Sequence, residues 1–226
     1  MGQAIGQMLP FAVGIAISPI PIVAIVLMLG TANAKSDSLS FLVGWIGAMA
    51  VAGAILLAVA GGADPTDSNG APADWSSTLK LVLGILLLGL AVRQWRGRPK
   101  GDEEPTMPKW MDSIEGFTPV KSAGLGVVVS VVNPKNLILI VGGATAIAQT
   151  DASGTDQAIA WVIFTVIATI GVAAPIVIYF AMGEKAEHIL ADLKTWMARN
   201  NAAIMAVILV VIGAKLIGDA ISGFST

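Results

Sequence analysis

The sequence predicts an all-α polytopic membrane protein of six transmembrane helices, arranged as two inverted three-helix repeats. Three observations predict it. Only 12% of the 226 residues are charged and 55% are hydrophobic, whereas soluble domains carry about 25% charged residues. Six apolar segments, at 9–30, 39–61, 78–95, 122–148, 158–182 and 202–218, each fall near the ~20 residues that span a bilayer. Among the loops, basic residues fall only in alternate ones, so the segments cross in alternating directions.

The first segment contains "ISPIPI" (17–22), where Pro19 and Pro21 remove two backbone donors and interrupt the helix. The N-terminus lacks a basic region and a small-residue cleavage site, so this segment is expected to stay as a membrane helix. Lys35 marks the loop that follows. The second segment carries Gly44 and Ala48, a spacing that allows close helix packing within one chain or in a homo-oligomer. Loop 62–75 then holds Asp64, Asp67 and Asp74 without a Lys or Arg. The third segment runs into a basic stretch with Arg93, Arg96, Arg98, Lys100, Lys109 and Lys121. Within it, "RPKGDEEPT" (98–106) reads as an exposed polar linker. "PKWMDSIEGF" places Trp110, Met111, Ile114 and Phe117 on one side of a short interfacial helix.

The fourth segment is interrupted in its turn by "NPKN" (133–136), and Gly142 and Ala146 again allow close packing. Loop 149–157 holds Asp151 and Asp156 and no basic residue, whereas 183–199 holds Lys185, Lys194 and Arg199. In 184–199 the apolar residues Ala186, Ile189, Leu190, Leu193, Trp196 and Met197 recur at helical spacing, which predicts a separate amphipathic helix on the membrane surface. The sixth segment ends with Lys215 and Asp219 about one turn apart, placed to pair with each other near its outer end.

By the positive-inside rule the basic loops are cytoplasmic and both termini lie outside. Three helices precede the long basic loop and three follow it, so the halves enter the membrane from opposite sides. The expected units are residues 1–97, a linker 98–119, and residues 120–226. "GIAIS" (14–18) resembles "GVVVS" (126–130), and the third and sixth segments carry glycines near their ends, at Gly89 and Gly213. Inverted repeats with helices interrupted at matching places point to a transporter with its site near the midplane.

The interruptions carry the candidate chemistry. Broken backbone inside a bilayer persists only where protein or a water-lined cavity satisfies its polar groups. Ser18, Pro19 and Pro21 form the first side of the expected site, lining a substrate path or packing the bundle. Asn133, Pro134, Lys135 and Asn136 form the second. A cation at the centre of a membrane helix costs roughly 2.5–3.5 kcal/mol on insertion scales, and no membrane-span carboxylate stands ready to neutralise Lys135. Two readings stay open, and they are compatible. Lys135 binds an anion beside the asparagine amides and a restarting helix N-terminus, or it ties the loose carbonyls of the opposite break.

Other chemistries are excluded or disfavoured. With no cysteine and a single histidine, His188, outside the spans, no metal site or cofactor is expected. The spans hold no acid–base pair and no nucleophile–histidine pair, so an enzyme is not expected. Cation pathways and proton relays use intramembrane Asp, Glu or His, which are nearly absent here. An anion moving outward needs no relay, since the inside-negative potential favours it by about 2.3 kcal/mol per charge per 100 mV. A nucleic-acid partner is not expected.

"AISPIPIVAIVLML", "FLVGWIGAMAVAGAI", "MPKWMDSIEGFTPVKSAGLG", "NPKNL" and "NNAAIMAVILVVIGAKLIGDAI", in that order, resemble the peptidoglycolipid-addressing (GAP) family. Its relatives include the sulfolipid-addressing proteins, within the lysine-exporter superfamily. The resemblance covers residues 5 to 222 or so. It implies a six-helix transporter of two three-helix halves in the bacterial cytoplasmic membrane, moving glycolipids toward the cell surface. Carried over by motif, Ser18, Pro19, Pro21 and Asn133 to Asn136 line the pathway, and "GAKLIGD" places Lys215 and Asp219 near its outer end. The leading expectation is export or flipping of an anionic lipid or glycolipid. The alternatives are export of a small solute, such as an amino acid or organic anion, and a non-transporting accessory role in an envelope export complex.

Overall fold

A computed structural model describes residues 1–62, 74–99, 109–183 and 185–225. Acidic residues 64 and 67, Lys100 and most of the polar linker 98–106 lie outside the described residues. Eight α-helices follow in order: α1 (Gly2–Ala16), α2 (Pro19–Leu29), α3 (Ala34–Gly62), α4 (Asp74–Arg96), α5 (Pro119–Val127), α6 (Pro134–Ala148), α7 (Gly154–Met182) and α8 (Lys185–Phe224). A 3₁₀ helix (Lys109–Gly116) precedes α5, and a π-helical turn (Val128–Val132) joins α5 to α6. Among the described residues there is no strand.

Helices α3, α4, α7 and α8 are each long and apolar enough to cross a membrane. The pairs α1–α2 and α5–α6 meet the same requirement only as units, bent by 47° and 62° at their breaks. The described residues therefore offer four to six candidate crossings, with the two bends at the two proline-bearing interruptions. The outer surface of the bundle is apolar: Val43, Val51, Ile55 and Val59 of α3, and Val162, Val166 and Ile170 of α7, are all exposed. A soluble monomer rarely exposes so large an apolar area, and acyl chains are its natural solvent.

Inside, backbones approach closely at glycines. Gly44 of α3 packs on the Ala123 carbonyl, and Gly126 of α5 on the Phe41 carbonyl; a Cβ at either would collide with that carbonyl. Gly53 faces the Trp161 ring, whose Nε1 donates to the Met49 carbonyl at 3.0 Å. Between helices α4 and α8, Gly84 and Gly213 lie against each other's carbonyls. Small residues are how membrane helices gain contact, because lipid supplies no hydrophobic drive between them.

One element departs from expectation. Residues 185–199 are not a separate amphipathic helix but the first turns of the 40-residue α8. Part of their apolar stripe is covered by protein: Ala186 is 0% and Leu190 4% exposed. Nothing stops the helix at Arg199–Asn201, since that polar step contains neither proline nor glycine.

Candidate functional site at the two helix breaks

The first break follows from its prolines. Pro19 has no N–H, so the Ile15 carbonyl loses its helical donor and instead accepts from the Ser18 N–H at 3.1 Å. That shift takes the Ser18 N–H away from the Gly14 carbonyl, four residues earlier. Pro19 and Pro21 then occupy the first turn of α2, where free N–H groups would be orphans anyway. The prolines start one helix as much as they stop the other.

The second break has the same logic. Asn133 caps α6, its Oδ1 accepting from the Lys135 N–H at 3.1 Å, and Pro134 sits at the first helical position. In the i→i+5 frame of the π turn the Val129 carbonyl faces Pro134, which has no donor to offer. The Asn136 Nδ2 donates to that carbonyl at 3.0 Å. Ser130 Oγ donates to the Val127 carbonyl at 2.9 Å.

Lys135 joins the two breaks. Its Nζ donates to the freed Gly14 carbonyl at 2.9 Å and to Ser18 Oγ, and lies 3.7 Å from the Met205 sulfur of α8. The side chain is 5% exposed, and Ser18 beside it 4%. All three ammonium directions are thus directed at protein atoms. Among the described residues no carboxylate pairs with Lys135. The two freed carbonyls, Gly14 and Val129, are therefore both satisfied from side chains of α6. The Asn136 Oδ1 is buried without a partner. Gly171 of α7 closes the first break from another side, packed directly on the Ala16 carbonyl.

The expected site residues thus divide. Ser18 and Lys135 meet, Asn136 turns back to its own π turn, and Pro19 and Pro21 are buried in the first turn of α2. Asn133 acts as a cap at the rim, and Pro134 is exposed. Lys215 and Asp219 form the expected pair at 2.5 Å, with the Lys215 ammonium 5.8 Å from the Phe11 ring centre. Sequence reasoning missed Lys80 of α4, which lies within electrostatic reach of both Asp219 and Lys215. Its signal was plain: a charge inside the segment 78–95.

Two hollows lie among the helices. A cavity of about 1380 Å³ opens between the C-terminal turns of α2 and α7, the 3₁₀ helix and the first turns of α8. Its lining includes Thr31, Tyr179, Lys194 and Arg199, at the end of the bundle that carries most of the basic residues. An apolar groove of about 230 Å³, lined by Ile17, Ile22, Ile170, Leu193 and Met197 among others, lies beside the first break. Sequence reasoning placed neither Lys194 nor Arg199 in a cavity, because helical spacing does not say what faces a helix. Among the described residues no cluster of His, Asp and Glu could hold a metal ion.

No curated protein and no solved structure matches the chain. A family model does match, described as "Sap, sulfolipid-1-addressing protein", over residues 8–222, a range that takes in both breaks, the tie and the Lys215–Asp219 pair. With almost its whole length matched, the chain belongs to the sulfolipid-1-addressing protein family.

Proposed function

We infer that the chain is a membrane transporter, not an enzyme, that exports or flips an anionic lipid or glycolipid across the bacterial cytoplasmic membrane. The family description supports a role in lipid addressing. The observation that carries the mechanism is the tie from Lys135 to the Gly14 carbonyl and Ser18 hydroxyl. A lysine held in the protein interior without a carboxylate is a group that an anion can capture. In the conformation described here, Nζ holds the broken ends of α1 and α2 against α6. An arriving headgroup offers oxygens that replace the carbonyl and hydroxyl as acceptors, which frees the hinge at residues 17–18.

The bundle on this reading has six crossings, both termini outside, and two inverted three-helix repeats. Packing supports the repeat. Helix α3 packs on α5 as α7 packs on α1, α3 packs on α6 as α7 does on α2, and α4 pairs with α8. Both freed carbonyls lie four residues before a cap that is followed by proline, Gly14 before Ser18–Pro19 and Val129 before Asn133–Pro134. The cavity then opens to the cytoplasm, and outward movement of an anion is favoured by about 2.3 kcal/mol per charge per 100 mV.

The test is mass spectrometry of lipids retained through purification by wild type, Lys135→Ala and Lys135→Arg, each first shown to fold. An anionic lipid retained by wild type and lost from the alanine variant supports the reading. The same lipid on all three would remove Lys135 from the substrate path and leave small-solute export or an accessory role.

A further inference from the structure

We propose that Lys194 and Arg199 form a loading site for the sulfate or phosphate ester of an anionic lipid, with its acyl chains in the adjoining apolar groove. This rests on the transporter reading and assigns it a second, earlier anion site, separate from Lys135. Lys194 and Arg199 both line the large cavity, and neither forms an ion pair or hydrogen bond with a described residue. They lie five residues apart on α8, about 7.5 Å in axial rise and about 140° around the helix, so the two long side chains enter the cavity from different sides of its α8 wall. Arg supplies a planar fork of donors matched to such an ester, and Lys a compact charge.

The cavity wall also contains Glu115 and Glu187. Glu187 lies seven residues from Lys194 and twelve from Arg199, about 10.5 and 18 Å back along the helix axis, so the Arg199 end is the more cationic end of the α8 wall. Arg199 precedes Met205 by six residues, about 9 Å of rise, and the Met205 sulfur touches the Lys135 ammonium. Along α8, Lys194 and Arg199 therefore precede the level of Lys135, which does not itself line the cavity.

The groove identifies the ligand as a lipid. Residues that line it are chain neighbours of residues that line the cavity: Ile22 beside Val23, Ile178 beside Tyr179, Leu193 beside Lys194, and Met197 beside Ala198. The hollows share no lining residue and lie on neighbouring faces of the same three helices, one with Lys194, Arg199 and Glu187 on its α8 wall and the other almost wholly apolar. A small soluble anion has no use for the second. A lipid ester uses both.

The experiment titrates the full-length chain in detergent micelles with dioctanoyl phosphatidic acid, dioctanoyl phosphatidylcholine and inorganic phosphate. Variants are Lys194→Ala with Arg199→Ala, Lys135→Ala, and Arg93→Ala with Arg96→Ala as a charge control outside the cavity. If the alanine pair fails to fold, Lys194→Gln with Arg199→Gln keeps the side-chain stems and reads the same charges. One basic residue facing an anionic lipid is worth about fivefold in affinity. The Lys194/Arg199 pair should therefore weaken phosphatidic acid binding by about 25-fold, and the control by less than about twofold. Equal weakening in the control, or equal binding of phosphatidylcholine, overturns the proposal. Inorganic phosphate competing as well as phosphatidic acid overturns the lipid assignment. Binding that depends on Lys135 but not on Lys194 and Arg199 overturns this site and leaves the transporter reading standing. Binding of none of the three probes by wild type overturns both.

Discussion

Replacing Lys135 by methionine separates its structural role from its transport role. The substitution removes the donor to the Gly14 carbonyl at 2.9 Å and to the Ser18 hydroxyl. Gly14 keeps a weak donor, Ser18 Oγ at 3.4 Å, so the loss is about 1–3 kcal/mol, as for one poorly satisfied buried acceptor. Against this, the variant no longer holds an ammonium in the apolar interior, a penalty of roughly 2.5–3.5 kcal/mol on insertion scales. Methionine fills nearly the same shape, and exchanging a buried charge for a matched apolar group is often neutral or stabilising. The expected stability of Lys135→Met is within about 1 kcal/mol of wild type, or above it. Lys135→Ala also empties the volume of the stem and should lie about 2–5 kcal/mol below the methionine variant. Both variants should lose lipid translocation in proteoliposomes by more than about tenfold, the equivalent of 1.4 kcal/mol. Denaturant unfolding in micelles gives the stability order, and a fluorescent anionic lipid gives the rate. A methionine variant that transports at the wild-type rate refutes the functional assignment. One that unfolds several kcal/mol below wild type shows the tie to be chiefly structural.

Three further perturbations follow from the same geometry. Asn136→Leu removes the donor to the Val129 carbonyl, which has no helical donor; stability should fall by about 1–3 kcal/mol in the same unfolding assay. Gly171→Ala forces a methyl group into the Ala16 carbonyl; the overpacking should cost about 1–3 kcal/mol and slow translocation, whereas Gly47→Ala, with open space around its Cβ position, should do neither. Asp219→Asn breaks the pair with Lys215, whose side chains are 28% and 36% exposed; thermal unfolding should show a loss below about 1 kcal/mol.

The two bends were legible in the sequence because proline's missing N–H is a covalent fact that no environment can restore. Pro19 takes a donor from Ile15, and Pro134 takes one from Ser130 in the α-helical frame, so a reader of the sequence can locate the breaks. That the freed carbonyls are those of Gly14 and Val129 follows only from the shifted Ser18 hydrogen bond and the π turn. The apolar segments were legible for a similar reason, since hydropathy belongs to the residues themselves. The match between "GIAIS" and "GVVVS" was less reliable as a register. Gly14 lies four residues before its cap and Gly126 seven before Asn133, a difference that spans the π turn.

What covers each group is a different kind of information. Periodicity placed 185–199 in a helix, as found, but not in the start of α8, because lipid and a neighbouring helix impose the same spacing on an amphipathic face. The buried Ala186 and Leu190 settle part of that choice only once α8 has neighbours. Lys135 shows the same limit most sharply. Its charge and depth were visible in the sequence, and so was its lack of a nearby carboxylate. Its acceptor on Gly14 lies 121 residues away in the chain, and a contact at that separation exists only when packing brings two helix breaks together. The sequence alone therefore determined where the helices would break; the tertiary structure decided which carbonyls were left free and which side chains would satisfy them, because that depends on distances no local pattern encodes.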